Sequence, residues 1–147
     1  MTDNLVLQTL RMTRRFAVTP ERLFDAWTDP AIVARWLFTG PESEGHAAEL
    51  DARVGGQWKI IDRRGGVDYT AVGEYREVDR PRRLVFTFGM PQFSPEFATV
   101  TVEIEPDGEG AVMTLIQDRM APDAIEPTRQ GWSLMFDGLG ALLTPAP

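Results

Sequence analysis

The side chains able to do chemistry are few and scattered along the chain. The single histidine, His46, opens a strand directly after a loop. A lone imidazole works as a general base only where a reacting proton faces it, and at such a place it is more often a capping or surface group. Glu49 and Asp51 share one face of that strand, and Asp118 and Arg119 close the last one. A sheet with one wet face displays charges of this kind at its edges. There is no cysteine, which excludes disulfides, thiolate nucleophiles and cysteine zinc sites, and one histidine excludes a His-pair metal site. Gly55-Gly56 and Gly65-Gly66 stand between strands with no helix following, so they are turns and not phosphate cradles. The residues therefore assign no catalytic set, no metal and no cofactor.

The apolar inventory says more. From Pro127 to Leu143 a stripe of large apolar side chains runs through Trp132, Met135, Phe136, Leu139, Leu142 and Leu143. At about 100° per residue they cover an arc of roughly 120° on one side of a helix, which must be buried against something. Pro127 suits the first helical turn and Pro145 stops the run. Gly131, Gly138 and Gly140 border the stripe, each costing about 1 kcal/mol against alanine inside a helix. They read as places where the backbone approaches a sheet closely or leaves room for something else, the plainer reading being slack near a chain end.

The elements that would receive this helix alternate in sequence. Leu5 to Val18 reads as a strand with Leu10, Met12, Phe16 and Val18 on one face. Arg14 interrupts that face, either snorkelling to water at a sheet edge or reaching inward for an anionic or carbonyl partner. Thr19-Pro20-Glu21-Arg22 opens a short helix with Leu23, Phe24 and Trp27 buried. Thr28-Asp29-Pro30 ends it and caps a second, carrying Ile32, Val33, Trp36 and Leu37. After the polar loop Gly40 to Gly45 come strands from His46 to Val54, turned by Gly55-Gly56 into Gln57 to Arg63, then Tyr69 to Val78, Leu84 to Gly89, Ala98 to Glu105 and Ala111 to Arg119.

These pieces imply an α+β fold, strand, two small helices, six strands and a long helix, with about seven antiparallel strands curved around the C-terminal helix. Every second turn of such a meander shares an end. Gly65-Gly66, the loop Met90 to Phe97 and the segment Ala121 to Glu126 should therefore lie together. Met90-Pro91-Gln92-Phe93-Ser94-Pro95 is too apolar for an ordinary exposed turn and reads as the lip of a pocket, or with Phe93 as a plug on the helix end.

With 147 residues, 43% of them hydrophobic, the chain fits a single domain over 1–147 with a substantial core. A net charge of -7 argues against nucleic acid or an anionic membrane as the main partner. No stretch approaches a membrane span and Met1 to Leu10 lacks the layout of an export signal, so a cytoplasmic location is expected by default.

Several short stretches carry a resemblance: residues 14–30, Trp36, Gly55-Gly56-Gln57-Trp58, Gly73-Glu74-Tyr75 leading to Pro81-Arg82-Arg83-Leu84-Val85, and Gln130-Gly131-Trp132. In this order and spacing the chain resembles the homologues of the activator of heat shock protein 90 ATPase, within the START-like (Bet v 1-like) helix-grip superfamily. The resemblance implies a sheet gripping the last helix with a largely apolar cavity between them. A second tryptophan that often follows Trp36 in that family is absent, Leu37 and Phe38 standing there instead. The family motif carries no shared catalytic group.

The function expected is therefore binding of a small apolar or aromatic molecule between sheet and helix. By phase, Phe24, Trp27 and Trp36 from the small helices, Trp58, Tyr69, Phe86, Phe88, Met113 and Leu115 from the strands, and Trp132, Met135, Phe136 and Leu139 from the long helix point to that region. Phe93 adds the lip. Arg14, Tyr69, Tyr75 or Gln117 would orient the ligand near the mouth. Two other classes stay open: a cyclase- or hydrolase-like enzyme using the same cavity, favoured by burial of Arg14, His46 or Asp118 beside it, and a co-chaperone-like interaction module with a chaperone partner. Either a monomer or a homodimer fits the sequence.

Overall fold

The computed structural model describes residues 6–143. Leu5 and Pro145, read above as a strand start and a helix stop, lie outside them. The elements are β1 (Gln8–Phe16), α1 (Pro20–Thr28), α2 (Pro30–Val33), β2 (Gly45–Leu50), β3 (Gln57–Arg64), β4 (Val67–Asp79), β5 (Arg83–Phe88), β6 (Ala98–Asp107), β7 (Gly110–Met120) and α3 (Ile125–Leu143). The strands form one antiparallel sheet in the order β1-β7-β6-β5-β4-β3-β2. The meander runs from β2 to β7, and β1 closes its far edge against β7, with Arg14 opposite Met113.

Local sequence explains the element ends. The Arg22 backbone N–H donates to Thr19 Oγ1 at 3.2 Å, and Pro20 follows the cap, where its missing N–H has no helical partner to lose. Asp29 repeats the device for α2, accepting from the Ala31 N–H at 3.0 Å. Gly65 and Gly66 both adopt positive φ, 58° and 76°, which the two-residue turn from β3 to β4 needs and glycine allows. Alternation then sorts the faces. Leu84 and Phe86 of β5, Val100, Val102 and Ile104 of β6, and Met113 and Leu115 of β7 are buried on the face that carries α1 and α3, and α3 buries Trp132, Phe136, Leu139 and Leu143.

Three expectations need correction. β2 ends at Leu50, and residues 51–56 form a six-residue connection in place of a two-residue turn at Gly55-Gly56. A tight turn there would pair Val54 with Gln57 and His46 with Gly65; the longer one pairs Leu50 with Trp58 and His46 with Asp62, a slip of three residues. Second, α2 is a single turn, so Trp36 and Leu37 are buried from the irregular segment that follows it. Third, α3 begins at Ile125, two residues before Pro127, after a 3-10 turn over Pro122–Ala124.

The helix glycines do not mark a close approach. A β-carbon on Gly131 or Gly138 would meet nothing within 4 Å, and one on Gly140 only the Phe16 ring at ordinary contact distance, 3.8 Å. Gly138 is exposed on the outer flank of α3. Gly138→Ala is therefore expected to stabilise the protein by about 0.5–1 kcal/mol, raising the melting temperature by roughly 2–4 °C in a thermal scan.

Candidate functional site

The centre of the interior is filled. Phe24, Trp27, Trp36, Trp58, Phe86, Met113, Leu115, Trp132, Phe136 and Leu139 are each at most 3% exposed. They pack on one another instead of surrounding a void. Trp27 lies edge-on to Trp36 at 4.8 Å between ring centroids, with Trp132 at 5.9 Å and Phe86 at 6.1 Å. All four indole N–H groups have acceptors: Trp27 gives to Met113 Sδ, Trp36 to the Ala26 carbonyl, Trp58 to the Thr87 carbonyl and Trp132 to Gln117 Oε1. Buried indoles need such partners, and these fix the orientation of each ring.

Space opens at one end, beside the first half of α3. Successive cross-strand rows on the concave face explain where. The row Leu50–Trp58–Gly73 lies under bulky aromatic rings, the next, Ala48–Ile60–Ala71, has two small members, and the third is His46–Asp62–Tyr69. Above the last two rows stand Gly131, Leu134 and Met135 of α3. Ala71 below and Gly131 above leave a cleft of about 580 Å³. Of the side chains expected at a cavity, Tyr69 and Met135 line it.

Of its remaining walls, Met90 belongs to the loop read as a pocket lip and Gly131 to the glycines read as leaving room, while Thr39 to Glu42, Ile60, Asp62 and Arg64 are residues that sequence reasoning passed over. Phe38 takes a positive φ of 54°, rare for a bulky side chain. Its ring stacks on Phe88 at 4.9 Å and lies 5.5 Å from Trp132, while its N–H points to Met135 Sδ at 3.0 Å. That turn carries Thr39 to Glu42 across the cleft. On the opposite side, Met90 contributes from the apolar loop. Gln92 pins this loop to β4, donating to the Asp68 carbonyl and accepting from the Thr70 N–H. Phe93 stacks on Tyr69 at 6.0 Å and is 66% exposed, so it stands at the mouth and does not plug the helix end.

The polar end of the cleft is Asp62, Arg64 and Tyr69. Asp62 is 4% exposed. Its Oδ2 lies 3.0 Å from Arg64 Nε, and the Arg64 guanidinium sits 4.2 Å above the Tyr69 ring. Asp62 Oδ1 and His46 Nδ1 are buried with no partner. His46 Nε2 is 2.9 Å from the Leu37 carbonyl, which can only accept, so the neutral ring carries its proton on Nε2.

The other expected polar groups sit elsewhere. Arg14 straps α3, 2.7 Å from Asp137 and 3.3 Å from Ser133. Gln117 is occupied by the Trp132 indole. Tyr75 is buried at the opposite end of the concave face, where burial and the Asp51 carboxylate push its phenol well above the usual range. Asp118 Oδ1 accepts from the Thr99 N–H at 2.7 Å, and Arg119 reaches Glu96. Glu49 faces outward and Asp51 lies in the turn after β2. A groove of about 660 Å³ borders Gln57, Lys59 and Glu74 on the outer face of the sheet, and no helix contributes to it. Among the described residues no group of three or more metal-ligating side chains converges, and no helix is long and apolar enough to cross a membrane.

Comparison with known proteins agrees with this architecture. The family model described as Activator of Hsp90 ATPase homolog 1-like protein matches residues 17–144. No curated protein matches the sequence. Among solved structures, protein CV1439 from Chromobacterium violaceum is 29% identical, with 94% of this chain and 98% of that one covered and a TM-score of 0.80. PFC0360w, an HSP90 activator from Plasmodium falciparum, superposes with a TM-score of 0.73 at 23% identity, covering 92% and 95% of the two chains. CalU16 from Micromonospora echinospora gives 0.70 at 20% identity, covering 95% and 78%.

Proposed function

Because the chain belongs to the Activator of Hsp90 ATPase homolog 1-like family and has its helix-grip fold, we propose that it binds a small molecule with an apolar or aromatic body in the cleft beside the first half of α3. The observation that carries this reading is the cleft itself. Its volume of about 580 Å³ falls within the range of small-molecule sites, and its walls combine Phe38, Ile60, Met90, Leu134 and Met135 with a polar end. Burying roughly 200 Å² of ligand surface at about 25 cal/mol per Å² supplies on the order of 5 kcal/mol before the costs of association. The driving force is thus placed in the apolar walls and the orientation in the polar end.

The test uses N-phenyl-1-naphthylamine, a neutral fluorophore that brightens in apolar surroundings. Its emission should rise and saturate at one equivalent per chain. Gly131→Leu places a side chain in the cleft from a helix position with open space around it. This variant should melt no lower than the parent and bind the probe at least about tenfold more weakly. A probe that does not saturate, or one indifferent to Gly131→Leu, contradicts the reading.

A further inference from the structure

Resting on that reading, the polar end of the cleft narrows the class of ligand. Buried polar atoms in folded proteins nearly always have a hydrogen-bond partner, and each exception calls for an explanation. Here two exceptions stand at directly paired positions of β2 and β3, Asp62 Oδ1 and His46 Nδ1. They do not bond to each other, and both are acceptors: one is a carboxylate oxygen, and the other is the unprotonated nitrogen of a ring whose proton is held by the Leu37 carbonyl. Asp62 belongs to the cleft wall, is more than nine-tenths buried, and has its second oxygen already held by Arg64. Glu42 adds a second carboxylate to the same cleft. At its buried end the cleft thus presents a carboxylate oxygen that no group of the protein satisfies. Arg64 is engaged with Asp62 and covers the Tyr69 ring.

We infer that the ligand carries a hydrogen-bond donor, a hydroxyl or amino group on its apolar or aromatic body, and that Asp62 Oδ1 accepts it. Phenols and aromatic amines fit this arrangement. Carboxylates of the same size do not, because their charge would meet Asp62 and Glu42 with the one cation of the site already paired. A bond to a charged acceptor in a desolvated place also discriminates strongly, since an isostere lacking the donor leaves the buried oxygen unpaired.

Three compounds of one shape separate the possibilities by displacement of N-phenyl-1-naphthylamine: 2-naphthol, naphthalene and 2-naphthoate. The wild-type protein should bind 2-naphthol at least about tenfold more tightly than naphthalene, and 2-naphthoate most weakly. Asp62→Leu should bind naphthalene as well as 2-naphthol. Asp62→Asn, which keeps an acceptor oxygen in place and most of the side-chain shape, should retain a preference for 2-naphthol of a few fold. Thermal melts of both variants establish that they are folded. Equal binding of 2-naphthol and naphthalene by the wild type, a preference that survives Asp62→Leu, or tightest binding of 2-naphthoate would overturn the assignment while leaving the cleft as a binding site. Failure of the fluorophore and of all three compounds to bind would overturn both.

Discussion

Gly73→Ala is expected to destabilise the protein by at least about 3 kcal/mol, a large share of the roughly 5–15 kcal/mol that holds an ordinary domain folded. Gly73 pairs with Trp58 across β3 and β4. The Trp58 indole passes over the glycine to donate to the Thr87 carbonyl of β5 at 3.0 Å. A β-carbon at position 73 would stand 2.7 Å from the Thr87 carbonyl carbon, and nearer still to its oxygen and to the indole nitrogen. Two of these obstacles are backbone, so no rotamer relieves them. Either β5 moves away from β4, or Trp58 leaves the core and takes its packing against Phe86 with it. Urea unfolding followed by fluorescence measures the loss directly. A change within about 0.5 kcal/mol, the ordinary scale of a surface substitution, would mean that the strands can part without penalty.

Trp27→Ala is the second large effect, expected at about 3–5 kcal/mol. Trp27 stands where α1 meets α3 and the sheet, 2% exposed, with the rings of Trp36, Phe86, Trp132 and Phe136 all within 6.4 Å between centroids. Its removal would leave the Met113 sulfur without its donor and four rings without a common neighbour. These rings are in turn held by other contacts, so the void would collapse only in part, and the cost would exceed transfer alone. The same measurement distinguishes a packed centre from a hollow one. A tryptophan that merely lined a ligand cavity would be partly exposed to it already, and its truncation would cost less than about 1.5 kcal/mol.

Much of the fold is written in local pattern. The alternation of Val100, Val102 and Ile104 gives β6, the caps at Thr19 and Asp29 give the starts of α1 and α2, and Trp132, Phe136 and Leu139 give the buried stripe of α3. The site was far less legible, for two physical reasons. Phase tells which side chains point inward but not whether they meet. The ten aromatic and aliphatic residues that point to the interior meet and fill it, while the gap arises from Ala71, which marks no pattern, and from Gly131, one of three helix glycines that the sequence does not tell apart. Register is the second reason. Gly55-Gly56 resembles a tight hairpin turn, and a three-residue slip there puts Glu49 opposite Asp62 and leaves His46 beside a glycine. The turn is longer because Gly56 approaches the Asp51 carbonyl and Gly55 bonds across to Tyr75, so the connection folds against β4. Only that longer turn brings His46, Asp62 and Tyr69 into one row. Phe38 was visible as a departure from the family pattern, but its positive φ, which turns the loop over the cleft, has no sequence signal in a phenylalanine.

The most direct test is an amide and indole chemical-shift titration of the labelled protein with 2-naphthol. The backbone signals of Tyr69, Ala71, Gly131 and Met135 are expected to move together and saturate, while the indole signals of Trp27 and Trp36 stay in place. Shifts centred on those two indoles, or on Gln57, Lys59 and Glu74 along the outer groove, would contradict a ligand site in the cleft, as would a titration that moves nothing.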